Sequence, residues 1–256
     1  MNNETLDQLM TLSKNLGNPI NDYVILAEGN TSAKIDDETF WVKASGTQLR
    51  TMEYSHFVQV RFESALALLE KNLDDKGVKD GLNAARVDPA VTLHPSVETI
   101  LHALILQLDG INFVGHTHPS AINSLTCSVG FEEAVSGRLF PDEIVLCGPA
   151  PVIVPYTDPG LPLARRVRDL INQYLDDYQE VPKLIHMQNH GMIALGQNAE
   201  QVENITAMAV KTARILLGTY AAGGPHFLSE HDVNRIHTRP DELYRRKLLG
   251  ELLDEQ

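Results

Sequence analysis

Three extended segments follow one another almost without interruption near the start of the chain, at 22–28, 31–36 and 39–44, and a fourth lies at 57–61. Two residues separate the first from the second, and two the second from the third. A parallel crossover needs a dozen or more connecting residues, usually a helix, whereas antiparallel neighbours need only a turn. The spacing argues against a doubly wound parallel sheet. Phe40, Val42 and Ala44 alternate with Trp41 and Lys43, as a half-buried strand does.

Helices punctuate the chain around and after these strands. Leu6, Leu9, Met10 and Leu16 predict a helix over 4–16 that stops at Gly17. Further helices are expected at about 63–72, 95–107, within 121–139, and at 161–176. Strands are expected at 111–115, 143–146, 151–154, 183–188 and 191–195. Asn198 caps a long helix to about Ala221, and two short helices follow from Ser229. The polar stretch 73–92 shows no strong periodicity and reads as a surface loop or a disordered excursion. With no internal repeat and no clean linker, residues 1–256 read as one α/β domain, 221–256 being a C-terminal helical tail. The expected architecture is a three-layer α/β/α arrangement around a mixed, largely antiparallel sheet.

Composition excludes some partners. A formal net charge of −13 disfavours nucleic acid and anionic membranes. No apolar run reaches spanning length, and the first residues lack the pattern of a secretory leader. A cytoplasmic protein is expected. The two cysteines, Cys127 and Cys147, read as buried free thiols.

Ligand-type residues then fall into three places. His116-Thr117-His118 ends an apolar strand, where residues i and i+2 point to one side. Two imidazoles can thus face one point, although a solvent-facing pair or hydrogen-bonded core histidines give the same pattern. His190 precedes Gly191 in a tight turn between two strands and can project into a cleft. His186, four residues earlier, is a weaker candidate between Ile185 and Met187. Glu98 sits in the first turn of a helix with Ser96 as N-cap, which is also where an acid is favoured electrostatically. His102 shares its helix face, as a partner of Glu98 or an ordinary helix histidine. Three imidazoles and a carboxylate from separate segments suit one divalent cation, with chemistry on a substrate as its usual purpose. Small polar turns at Gly29-Asn30-Thr31-Ser32 and Ala44-Ser45-Gly46-Thr47, with Ser96, offer N–H and hydroxyl donors for an anion, though as isolated turns they are commonplace.

In order and spacing these segments resemble the class II aldolase/adducin family. The matching stretches are Gly29-Asn30-Thr31-Ser32, Lys43-Ala44-Ser45-Gly46, Ser96-Val97-Glu98 with His102, His116-Thr117-His118-Pro119, Pro155-Tyr156 with Gly160, and Asn189-His190-Gly191. Together they span about residues 5–220. The resemblance implies Zn2+, with Mn2+ or Co2+ as alternatives, held by His116, His118 and His190. Glu98 would ligate the resting metal and act as catalytic base. Asn30, Ser45, Gly46 and Ser96 would bind a substrate phosphate. It implies a homotetramer, a sugar or sugar-phosphate substrate, and aldol cleavage of a ketose, such as a ketose 1-phosphate, through an enediolate.

Two departures separate this chain from the sugar-phosphate aldolases. Val97 stands where their second serine of the phosphate motif is expected, and no tyrosine lies between Gly115 and Pro155 to match their proton donor. Epimerisation, dehydration and decarboxylation share the enolate logic and remain alternatives. A non-catalytic adducin-like interaction module and an unrelated zinc hydrolase are the rivals from other classes.

Overall fold

A computed structural model describes residues 3–242 and 244. Seven strands form one sheet in the order β3-β2-β1-β4-β7-β6-β5. They are β1 (Asn30–Lys34), β2 (Thr39–Lys43), β3 (Phe57–Arg61), β4 (Phe113–Thr117), β5 (Val152–Val154), β6 (Leu184–Met187) and β7 (Gly191–Gly196). Every pairing is antiparallel except β5 with β6. The sheet is therefore mixed and largely antiparallel, as the short early connections require.

Alternation along the strands sends side chains into two separate apolar layers. Phe40, Val42, Val114, Ile185, Ile193 and Leu195 face one layer, packed with α2 (Phe62–Leu66), α3 (Asp75–Ala84), α4 (Thr99–Ile105) and α8 (Leu161–Tyr178). Ala33, Phe113, Leu184, Met192 and Ala194 face the other. That layer packs α1 (Asn3–Leu16), α5 (Ser120–Thr126), α6 (Phe131–Ser136), α7 (Pro141–Cys147) and α9 (Ala199–Ala221). The result is helix on sheet on helix. Gly115 of β4 leaves room for α9, since a Cβ there would lie 2.6 Å from Val202 Cγ1 of that helix.

Several local expectations are corrected. Residues 22–28 form turns rather than a strand: Asp22 and Leu26 adopt φ of 57° and 52°, and Glu28 Oε2 accepts from the Ile25 N–H. Only Val24 of the Val24-Ile25-Leu26 run is buried, so the run lacks the alternating core contact that holds a strand. Residues 143–146 lie in α7, because Pro141 opens a helical turn followed by Asp142 and Glu143, and this start signal outweighs the β-branched Ile144-Val145. The polar stretch 73–92 contains α3. Asp74 caps it through Gly77 N–H at 2.8 Å, Val78 and Leu82 bury one face, and Gly81 admits the Leu68 side chain. The helix expected over 63–72 is the short α2, and the one expected from Pro95 begins at Thr99, with Glu98 rather than Ser96 at its N-cap. Cys127 is exposed, whereas Cys147 is buried. One tail helix is α10 (Glu230–Thr238), and much of the second falls outside the described residues. No described helix is long and apolar enough to cross a membrane.

Candidate metal centre

Sheet register assembles the site. Asn30 of β1 lies directly opposite His116 of β4, and β4 pairs on its other side with β7, which follows His190. His116 thus occupies the centre of the sheet and is buried. His118 leaves the strand end, its N–H donating to the Tyr23 carbonyl at 2.9 Å. The turn 188–190 closes the β6–β7 hairpin, with Asn189 at φ 54° and its N–H bound to the Thr126 carbonyl. Gly191 is required here by space. A Cβ would lie 2.4 Å from Thr117 O and 2.7 Å from His118 Cδ2.

The three rings meet edge to face, with centroids 4.6 Å apart for His116–His118, 4.9 Å for His116–His190 and 5.0 Å for His118–His190. One nitrogen from each lies within 4.8 Å of the others. Glu98, 7 % exposed, closes the fourth side: Oε2 is 3.4 Å from His116 Nε2, and Oε1 is 3.3 Å from His190 Nε2. Oε1 has no hydrogen-bond partner among the described residues.

The donor chemistry suits a divalent cation. The Met192 carbonyl can only accept, so His116 Nδ1 donates to it at 2.9 Å and the Nε2 lone pair of the neutral ring faces inward. Burial holds His116 well below the usual imidazole range, and the neighbouring His190 adds to this. Burial first, and His116 second, push His118 down to about 3. Neutral imidazole nitrogens and a buried carboxylate oxygen with an unused lone pair are ligands of the N/O type that Zn2+ and similar ions take.

A chain of hydrogen bonds stands behind Glu98. Asn30 Nδ2 donates to Glu98 Oε2 at 2.7 Å and to Ser96 Oγ at 3.3 Å. Asn30 Oδ1 is bonded to His102 Nε2, and Ser32 Oγ is 2.6 Å from His102 Nδ1. His102 is fully buried, which lowers its pKa to about 4 against the opposing pull of Glu98. Lys43 is also buried: desolvation brings it to about 8 although Glu98 acts to raise it, and Nζ reaches the Ala27 carbonyl at 3.4 Å.

Of the residues singled out in the sequence, Asn30, Ser96, Glu98, His116, His118 and His190 are thus brought together. Ser45 and Gly46 are exposed at the end of β2, tied to the segment before Glu98 by the Ser45 N–H bond to His94 O and the Ala44–Pro95 bridge. His186 does not join the cluster. It faces the α9-side layer with Leu184, buried beside Arg138. The sequence pattern assigns no role to Lys43 and places Ser32 only in a small polar turn for an anion, whereas Ser32 lies in β1 and bonds His102. A lysine at the last position of an otherwise apolar strand was the available signal for the first, while a serine in a strand carries none.

Comparisons with known proteins identify the kin of this chain. The family described as "Class II Aldolase and Adducin N-terminal domain" matches residues 8–217. A Bacillus subtilis (strain 168) protein named as an uncharacterized oxidoreductase, YuxG, is 28% identical over 194 residues. That match covers 72% of this chain but only 26% of the relative, so the chain spans about a quarter of that protein's length. A methylthioribulose-1-phosphate dehydratase from Leptospira interrogans is 25% identical over 216 residues, covering 80% of this chain and 81% of the relative. Among solved structures, an L-fuculose 1-phosphate aldolase superposes with TM-score 0.68 at 18% identity, covering 91% of this chain and 94% of that one. The N-terminal class II aldolase domain of a Thermoplasma acidophilum protein gives TM-score 0.64 at 24% identity, with 83% and 93% covered. At these identities the superpositions establish the fold, and the family match, extending over most of the chain, establishes kinship: this protein belongs to the class II aldolase and adducin N-terminal domain family.

Proposed function

We propose that this chain is a divalent-metal-dependent aldehyde-lyase that cleaves a ketose 1-phosphate through an enediolate. The observation that carries the reading is the convergence of three imidazoles and the Glu98 carboxylate on one point. His116, His118 and His190 would hold the cation, Zn2+ or alternatively Mn2+ or Co2+, with Glu98 completing the resting set. A divalent ion at that point supplies Lewis-acid polarisation of a carbonyl, typically worth several kcal/mol.

The chain's own groups do the rest. In cleavage, Glu98 takes the proton of the substrate's β-hydroxyl, the adjacent C–C bond breaks to release an aldehyde, and its electron pair enters the enediolate. Glu98 then delivers a proton to the enediolate carbon, and in the reverse direction removes it. Asn30 holds the carboxylate by its Nδ2 donor. Ser45, Gly46 and Ser96 supply N–H and hydroxyl donors for the phosphate. The same reading takes residues 1–256 as one domain acting in the cytoplasm as a homotetramer, an assembly that rests on the resemblance.

Dehydration is the second reading, favoured by the Leptospira dehydratase that aligns over 81% of its length. Proton removal beside the ketone would there expel a β-hydroxyl instead of breaking a C–C bond.

The test is a screen of ketose 1-phosphates with purified protein, reading released aldehyde and product mass, beside metal analysis. Stoichiometric divalent metal and aldehyde release are expected, and His116→Ala is expected to remove the metal and lower turnover by about 10³-fold or more. Loss of water without aldehyde favours the dehydratase. Wild-type turnover by a metal-free His116→Ala protein refutes both.

A further inference from the structure

The hydrogen bonds behind Glu98 have only one consistent direction. A carboxylate oxygen can only accept, so the Asn30 atom facing Glu98 Oε2 at 2.7 Å is the amide nitrogen. The amide oxygen Oδ1 therefore faces His102, and as it too can only accept, His102 Nε2 must donate. In the neutral ring the remaining nitrogen, Nδ1, then accepts, and the Ser32 hydroxyl at 2.6 Å is its donor. The proton direction runs from Ser32 to His102 to Asn30 to Glu98. Ser32, Asn30, His102 and Glu98 are all buried, so solvent offers no alternative partner.

Neither His102 nor Ser32 reaches a reacting atom in this arrangement. We infer that His102 is a positioning residue: acting through Asn30, it fixes the orientation of the Glu98 carboxylate, and the Ser32 hydroxyl supplies the donor that its Nδ1 accepts. The physical need is plain. An unrestrained Asn30 amide can rotate and present its oxygen to Glu98, which places two acceptors face to face. With His102 donating to that oxygen, the rotated state would set the amide N–H2 against the ring N–H. Each rotated contact is repulsive, so one amide orientation survives and Glu98 Oε1 is left pointing toward His190 Nε2. The alternative is a core histidine that merely satisfies its own polar atoms.

The inference rests on the reading of Glu98 as the base, and the test separates the two. The chain of residues 1–256 is compared as wild type, His102→Leu and His102→Gln, because the glutamine amide can accept from Ser32 and donate to Asn30, whereas leucine does neither. Crystal structures, metal content and steady-state kinetics on the best substrate of the ketose 1-phosphate screen are recorded. In His102→Leu, the Asn30 amide is expected to rotate and the Glu98 carboxylate to turn, with metal content retained. A displacement of that kind lowers kcat by about 10²-fold with KM little changed. His102→Gln is expected to restore the Glu98 orientation and most of kcat. The coordinates of Asn30 and Glu98 still decide the matter if no ketose is cleaved, so failure of the lyase reading does not mask failure of this one. An unmoved Glu98 in His102→Leu, unchanged kcat there, or no rescue by glutamine in a folded, metal-loaded protein overturns the inference. Should His102→Leu not fold, the comparison of wild type with His102→Gln and Ser32→Ala decides it. Ser32→Ala leaves His102 Nδ1 without its donor and is expected to lower kcat, and unchanged kcat overturns the inference.

Discussion

The smallest decisive group in the site is the hydrogen atom that serves as the side chain of Gly191. It allows the β6–β7 hairpin to bring His190 against His118 while the backbone passes Thr117 O. Gly191→Ala puts a methyl group 2.4 Å from that oxygen, a contact that backbone movement alone can relieve. We expect a destabilisation of about 1–3 kcal/mol from overpacking and a larger fractional loss of bound divalent metal than any exposed alanine substitution gives. Urea unfolding and metal titration check this, and an unperturbed metal affinity contradicts it. The histidines themselves follow the same local logic. His116 is suited to a ligand's role because the Met192 carbonyl fixes its tautomer, and burial keeps the ring neutral. The residue types were readable in the sequence. The carbonyl that selects the tautomer was not, since it comes from a strand 76 positions away.

Elements reveal where patterning succeeded and failed. β2 and β3 were legible because each alternates over five residues and buries one side. α9 was legible from Asn198, whose side chain accepts from Gln201 N–H at the helix start. The α3 helix was not, because its two glycines and many charges dilute a narrow apolar stripe of Val78 and Leu82. Its stability leans on the cap, and removing the side-chain acceptor by Asp74→Ala should cost about 1 kcal/mol. Chemical denaturation measures the loss, with Asp74→Asn as the control that keeps an acceptor. No change in Asp74→Ala would mean that packing against α2 alone holds the helix. The turns at 22–28 and the helix α7 depart from their sequence pattern for a related reason: short apolar runs do not distinguish strand from helix or turn without their long-range contacts.

For the molecule as a whole, buried histidines couple folding to pH. Burial lowers His186 to about 3 and His102 to about 4, while in the unfolded chain each titrates near 6.5. The unfolded state therefore binds more protons than the folded state below pH 6.5. Stability is complete above that value and falls as pH drops toward the folded pKa values. Each such histidine contributes up to about 1.4 kcal/mol per pH unit in that window. Urea melts at pH 7 and pH 5 should therefore show a smaller drop for His186→Gln than for the wild type, and equal drops would refute the assignment of His186 as neutral in the fold. The sequence by itself determined the antiparallel start of the sheet, the layered class of the fold and the identity of the ligand-type residues, because these depend on connection length, period and side-chain chemistry along the chain. It could not decide that His186 turns away from His190, that Lys43 is buried near Glu98, or that Asn30 bonds to both Glu98 and His102. Those outcomes depend on strand register and on which face of the sheet each residue occupies, and a shift of one residue would reverse them.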